Sequence, residues 1–223
     1  MGFRHRFHRH GIARGIVAAA LLFPVAGRAE PPVVTVSTRV LAMRDDVVPP
    51  IMPGLRAFSW SVRSGFDDPE HQAATPEPGS PSDPTTGGAS GGGAVLVVYN
   101  SAGSGEQVTI PLPAERWQLQ GNPTNGIRYV YAGEPGVDPV WKVWLKRTKI
   151  TVRGGKQPWT YSLDELSQGS IAIRLTLGTG VTYCANVPAQ ASGSPPSTAR
   201  FDQPGRFKGQ PKTPPPTSCP PLP

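Results

Sequence analysis

The chain has 223 residues, with Gly 26, Pro 28 and Cys 2, of which 37% are hydrophobic and 17% charged; it can bury one modest core and must leave much of its length to turns and tails. Its net charge is +7, but Arg4, Arg6, Arg9, Arg14 and Arg28 crowd the start; without these five, the 22 basic residues fall to 17 against 15 acids. A body so close to neutral, with no basic run longer than Lys146-Arg147, lacks the counterion-release drive of a nucleic-acid binder, so nucleic acid is not an expected partner.

The first element is a leader. Basic residues from Arg4 to Arg14 precede an apolar run, Gly15 to Ala26, that ends in the small residues Ala26, Gly27 and Ala29. That order predicts a secretory signal peptide over 1–29, the alternative being an uncleaved anchor. A run of about a dozen residues is short of the roughly 20 needed to cross a bilayer. The mature chain is therefore expected near Glu30, extracytoplasmic (periplasmic or secreted), with no stable membrane span.

Val34, Val36, Thr38 and Val40 alternate along Val33 to Met43, and Phe58, Trp60 and Val62 repeat the pattern after a turn over Pro49 to Gly54. Residues 30–66 are thus predicted as N-terminal strands packing on the main domain, the first of them also able to pair with a neighbouring molecule's edge. Residues 67–93, with Thr75-Pro76-Glu77-Pro78-Gly79-Ser80-Pro81 and Gly91-Gly92-Gly93, hold little to bury and are predicted as a flexible Pro/Gly/Ser-rich linker or long loop.

Residues 94–187 carry the regular rhythm. Short strands are expected over Ala94–Asn100, Gln107–Leu112, Arg116–Gln120, Ile127–Ala132, Val140–Lys146, Lys149–Arg153, Trp159–Leu163, Ile171–Leu177 and Val181–Ala185, separated by glycine-bearing turns. A single helical turn is predicted over Leu163–Gln168. This is the pattern of an all-β protein with a single antiparallel β-sandwich, jelly-roll or Ig-like. Residues 188–223 form a Pro-rich tail. Cys184 and Cys219, in an oxidising compartment, are expected to pair and tether it, closing a loop of roughly 35 residues that is worth about 3–4 kcal/mol.

Candidate chemistry is sparse. Past the leader His71 is the remaining histidine, and it falls in the predicted linker, so a Ser-His-Asp or Cys-His device has no rigidly held base. Zinc and copper shells lack ligands, no Asp-x-Asp-x-Asp calcium loop appears, and no phosphate or dinucleotide loop precedes a helix. The acids come as the neighbours Asp45-Asp46, Asp67-Asp68 with Glu70, and Asp164-Glu165. Strand neighbours point to opposite faces, whereas a carboxylate-dependent glycan hydrolase requires two acids from different strands across one cleft. No catalytic residue, metal or cofactor is expected.

The basic cluster Lys142, Lys146, Arg147, Lys149, Arg153 and Lys156 lies along one predicted hairpin. It suits a solvated strand face, with an anion site as the alternative. Most of the aromatics, Trp117, Trp141, Trp159, Tyr129, Tyr131 and Tyr161, suit a sandwich core. Within Val140–Lys146, Trp141, Val143 and Leu145 share one face by alternation and Trp144 falls on the other, beside Lys142 and Lys146. Trp144 is the candidate binding residue.

Gln120-Gly121-Asn122-Pro123, Gly126-Ile127-Arg128-Tyr129, Ser162-Leu163-Asp164-Glu165, Gln168-Gly169-Ser170-Ile171, Leu175-Thr176-Leu177-Gly178, Tyr183-Cys184 and the closing Ser218-Cys219-Pro220 together resemble an uncharacterised β-rich module of secreted bacterial proteins. The resemblance runs from about Ala94 to the end, and more faintly over Val40 to Val62. It implies an extracytoplasmic β domain and supplies no catalytic residue. It further implies a second cysteine pair in other members, near the positions that Val140 and Val152 or Arg153 occupy here. The expected function is a non-catalytic structural or interaction module with an unknown protein or polysaccharide partner; the alternatives are a carbohydrate-binding module using exposed aromatics, and a carboxylate-dependent glycan hydrolase.

Overall fold

Wherever apolar and polar residues alternate in this chain, the backbone extends, because every second side chain then reaches one common core. The computed structural model describes residues 31–45, 55–64, 68–86, 91–122, 124, 126–191, 193 and 198–223. The predicted leader over 1–29 and the predicted turn over 49–54 lie outside the described residues, as does the side chain of Lys156.

Thirteen strands run in the order β1 (Val33–Thr35), β2 (Thr38–Arg44), β3 (Leu55–Arg63), β4 (Ala94–Asn100), β5 (Gln107–Leu112), β6 (Trp117–Asn122), β7 (Gly126–Ala132), β8 (Val140–Lys146), β9 (Lys149–Pro158), β10 (Ile171–Leu177), β11 (Thr182–Val187), β12 (Phe201–Gln203) and β13 (Arg206–Lys208). They make a five-stranded sheet, β1-β11-β10-β4-β5, and an eight-stranded sheet, β12-β13-β2-β3-β9-β8-β7-β6. All pairings are antiparallel except that of β1 with β11. The protein is an all-β sandwich.

Register places the apolar rows. In the larger sheet Leu41, Trp60, Val152, Val143, Tyr131 and Trp117 stand opposite one another across six strands, all within the core cluster. In the smaller sheet Tyr183, Leu175, Leu96 and Ile110 form the facing row. Trp159 packs on Phe58 with ring centroids 4.7 Å apart. Gly154 permits that approach, since a Cβ there would stand 2.4 Å from the Pro139 carbonyl oxygen and 2.9 Å from the Trp159 ring.

Several elements differ from the sequence expectation, each for a local reason. The single strand expected over Val33–Met43 is two strands in two sheets. The chain crosses between them at Val36–Ser37, where the Val36 amide donates to the Cys184 carbonyl (2.8 Å). An irregularity between Thr38 and Val40 then inserts Arg39 as an extra residue, so Leu41 and Met43 face inward in place of Val40. Trp159, Tyr161 and Leu163 are buried as their alternation implied, yet they follow β9 as irregular chain, and Leu163–Gln168 forms bends in place of a helical turn.

The predicted linker contains a strap. Over 68–86 it carries a one-turn 3-10 helix at Pro69–His71 and buries Ala73, Pro76, Asp83 and Pro84. Its composition promised no core contribution. It is held by polar ties: the Ser64 hydroxyl donates to the His71 carbonyl (2.9 Å), the Val181 amide to the Ser82 hydroxyl (2.9 Å), and the Tyr183 hydroxyl to the Ala74 carbonyl. Asp83 organises its end, accepting from the Thr85 hydroxyl (2.6 Å), the Thr85 amide (2.8 Å) and the Gly79 amide (2.7 Å).

Cys184 and Cys219 form the expected disulfide, their Cα atoms 5.7 Å apart. The tail is further held against the outer side of the five-stranded sheet, where the Tyr99 hydroxyl donates to the Pro220 carbonyl (2.7 Å) and Arg174 donates to the Tyr99 hydroxyl (3.1 Å) and to the same carbonyl.

Candidate functional site

The tail lies on one sheet, and on the outer face of the other the described residues follow from the register of the core. Val62, Ile150, Leu145 and Tyr129 form an inner row. Their chain neighbours Arg63, Lys149, Lys146 and Arg128 therefore form an outer row, each directly opposite the next across β3, β9, β8 and β7. Adjacent strands lie about 4.8 Å apart, so the four cations span about 14 Å. The Arg128 guanidinium donates to the Gln120 side chain on β6 (3.0 Å).

The next row along the strands is Ser61, Thr151, Trp144 and Val130. Trp144 is 38% exposed. Beyond it lie Ser59, Arg153 and Lys142, with Arg153 donating to the Ser59 hydroxyl (2.6 Å). The Lys142 ammonium sits over the Trp144 ring, 4.3 Å from its centroid, a contact driven by the ring quadrupole. A depression of about 170 Å³ is lined by Trp144, Arg128, Lys146, Lys149 and Thr151 and not by Lys142. The ring thus carries a cation over it and also borders a cation-lined hollow. The Thr151 hydroxyl, on a residue 6% exposed, makes no hydrogen bond within the protein.

At the end of the cationic row lies a hollow of about 460 Å³ lined by Arg39, Arg63, Lys146, Arg147 and Lys149, together with Ser64 and Thr148. Among the described residues of the eight strands the single carboxylate is Asp202. It is 8% exposed and accepts from the Ser167 hydroxyl (2.6 Å) and the Gln168 amide (2.5 Å). Apart from Asp202, the acids among the described residues lie outside the strands of this sheet, so near-neutrality overall coexists with a run of cations on its face.

Sequence alternation found Trp144 and missed Trp141. The pairing of β8 with β9 slips between Val140 and Lys142, leaving Trp141 as an extra, bulged residue. In place of sharing the core face with Val143 and Leu145, it is half-buried and lines a hollow of about 280 Å³ with Ala42, Arg44, Ser59 and Arg153. Nothing in the residue order signals a one-residue slip. Arg63 and Arg128 were also missed as partners of the basic cluster, since the pairings that join them to the hairpin are long-range.

His71, Asp68, Asp164 and Glu165 each make contacts within the protein. His71 is held, not mobile: its Nδ1 lies 2.9 Å from the Thr35 hydroxyl and 3.2 Å from the Thr35 carbonyl. Asp68 accepts from the His71 amide (3.3 Å); Asp46 and Asp67 lie outside the described residues. Glu106 and Asp164 meet at one hydroxyl, Ser162 Oγ, which lies 3.0 Å and 2.7 Å from them, and Glu106 also accepts from the Ser162 amide (2.6 Å). Glu165 accepts from the Gln168 side chain (2.5 Å). Burial pushes the Asp83 carboxyl up, yet its bonds from Thr85 and Gly79 outweigh that and hold it below the usual range. Burial pushes the Tyr129 phenol upward, and the Asp83 charge adds to it.

Val140 and Val152, where the resemblance implies cysteines in other members, are both buried on the inner face, with Val140 opposite Gly154 and Val152 opposite Val143. Among the described residues no group of three His, Cys, Asp or Glu side chains is placed to hold a metal, and no helix is long and apolar enough to cross a membrane. Comparison with protein-family models, with curated proteins and with solved structures found no match to this chain.

Proposed function

We propose that this protein is a non-catalytic interaction module working outside the cytoplasm, and that it holds its partner on the outer face of the eight-stranded sheet. The observation that carries the reading is Trp144, a large ring left 38% exposed on a sheet face whose opposite number across the sandwich is occupied by the chain's own tail. An exposed aromatic on a flat face suits a polysaccharide, whose sugar rings present apolar C–H surfaces for stacking, and Trp141 adds a second ring on the same side. The disulfide suits an oxidising compartment. Two side chains of the kinds that elsewhere move protons are engaged here in structural bonds, His71 with Thr35 and Asp83 with its own loop. The test is affinity electrophoresis of the mature protein through gels containing polysaccharides. Trp144→Ala is expected to abolish retardation while the melting temperature stays nearly unchanged. Unchanged retardation, or a melting temperature lower by many degrees, overturns the reading.

A second reading, glycan hydrolysis, is favoured by one observation, the meeting of Glu106 and Asp164 at Ser162. It requires that Glu106→Gln and Asp164→Asn each abolish release of reducing ends from a polysaccharide that the wild type cleaves. Its failure leaves the binding reading intact.

A further inference from the structure

We infer that the partner is an acidic polysaccharide, its carboxylates lying along Arg63, Lys149, Lys146 and Arg128 and a sugar ring stacking on Trp144. The inference rests on the binding reading above and names the ligand's charge. Cations directly opposite each other on adjacent strands destabilise a sheet, so an arrangement of four in a row needs a cause. Protection of an exposed edge is the usual reason for lysine on a strand. It does not apply here, because β3, β9 and β8 lie inside the sheet with neighbours on both sides. Nor do the sheet's own strands neutralise the charges: among the described residues of its eight strands the one carboxylate, Asp202, lies on β12 and is buried. The field is left for a ligand.

Spacing selects the class. Side chains on one face of a strand recur about every 6.6 Å, so Lys146 and Lys142 flank Trp144 at the reach of a single residue of an acidic sugar, which carries its carboxylate and its apolar face on the same ring. The hollow lined by Arg39, Arg63, Lys146, Arg147 and Lys149 continues the track past the hairpin. Single-stranded nucleic acid would call for a succession of stacking rings along a cationic groove, whereas here the rows nearest the ring are charged. A flat face has no element to enter a duplex groove.

The test compares the mature wild type with Lys146→Gln/Lys149→Gln and with Trp144→Ala, titrated with polygalacturonate, neutral dextran, oligothymidylate and phosphatidylglycerol vesicles at equal ligand concentration. Wild type is expected to bind polygalacturonate best, with affinity falling roughly tenfold or more as salt rises from about 50 to about 200 mM. The double variant is expected to lose about tenfold or more, and Trp144→Ala to bind more weakly while the slope of its salt dependence is kept. Preference for the oligonucleotide or the vesicles, or polygalacturonate binding unchanged in the double variant, overturns the inference. Dextran held as well as polygalacturonate and released by Trp144→Ala also overturns it while leaving the binding reading standing; no polysaccharide binding at all sinks both.

Discussion

Lys149 stands directly opposite Lys146 at the mouth of the β8–β9 hairpin, cation facing cation on adjacent strands. Cross-strand like charges cost about 0.2–1 kcal/mol, and the flanking Arg63 and Arg128 extend the repulsion. Neutralising one of the four should therefore stabilise the protein. Lys149→Gln is expected to raise stability by about 0.5 kcal/mol in urea at low salt, and the gain should shrink in about 1 M NaCl, where the Debye length is about 3 Å. Equal stability of both proteins at low salt would mean that the row carries no strain.

The strap should loosen in acid. Asp83 is held below the usual carboxylate range, so its ionised form stabilises the fold above the unfolded value of about 3.9, and that contribution fades as pH falls through the lower folded value. Asp83→Asn keeps the size but loses the charge that three donors share. It is expected to cost about 1–2 kcal/mol at neutral pH and progressively less below about pH 4, measured by urea unfolding across that range. A cost independent of pH would remove the charge from the explanation.

The disulfide closes a loop of sequence separation 35. Cys184→Ala/Cys219→Ala should destabilise by about 3–4 kcal/mol in the chain-entropy model. Cys219 is followed at once by Pro220, whose carbonyl accepts from Tyr99 and Arg174, so the loss should be accompanied by faster amide exchange after about Thr213 and by proteolysis of the tail while the strands persist. A tail equally protected in both proteins would show that the Tyr99–Arg174–Pro220 contact holds it alone.

Most of the scaffold was legible because period-2 alternation is a local property. β4, β5, β8 and β10 begin and end where the residue order placed them, and Ile171, Ile173, Leu175 and Leu177 point inward as written. What escaped was set by pairing. One-residue slips at Arg39 and Trp141 depend on the partner strand, the crossing at Val36 depends on a bond to Cys184, and the strap's order comes from hydrogen bonds to Ser64 and to the remote Val181–Tyr183 segment. The candidate site divides in the same way. Trp144 and the hairpin lysines were visible, whereas the row that gives them meaning needs Arg63 and Arg128 from strands remote in sequence.

The Gln168-Gly169 step should prove structural. Gln168 is 0% exposed and joins four groups: its side chain accepts from the Tyr161 hydroxyl (3.1 Å) and donates to Glu165 (2.5 Å), while its carbonyl accepts from Asn100 (2.5 Å) and its amide donates to Asp202 (2.5 Å). Gly169 has φ +63°, and a Cβ there would stand 1.8 Å from the Ala102 carbonyl oxygen. Gly169→Ala must move backbone on one side or the other, for a loss of about 3 kcal/mol or more. Gln168→Leu keeps the volume but removes the acceptor of the Tyr161 hydroxyl bond and the donor to Glu165, costing about 1–3 kcal/mol. Leu166, two residues earlier and 88% exposed, supplies the contrast, since Leu166→Gln should stay within about 0.5 kcal/mol. Thermal unfolding of the three variants checks the ordering, and a Gly169→Ala protein as stable as Leu166→Gln would mean that the 163–170 segment does not pack against Ala102.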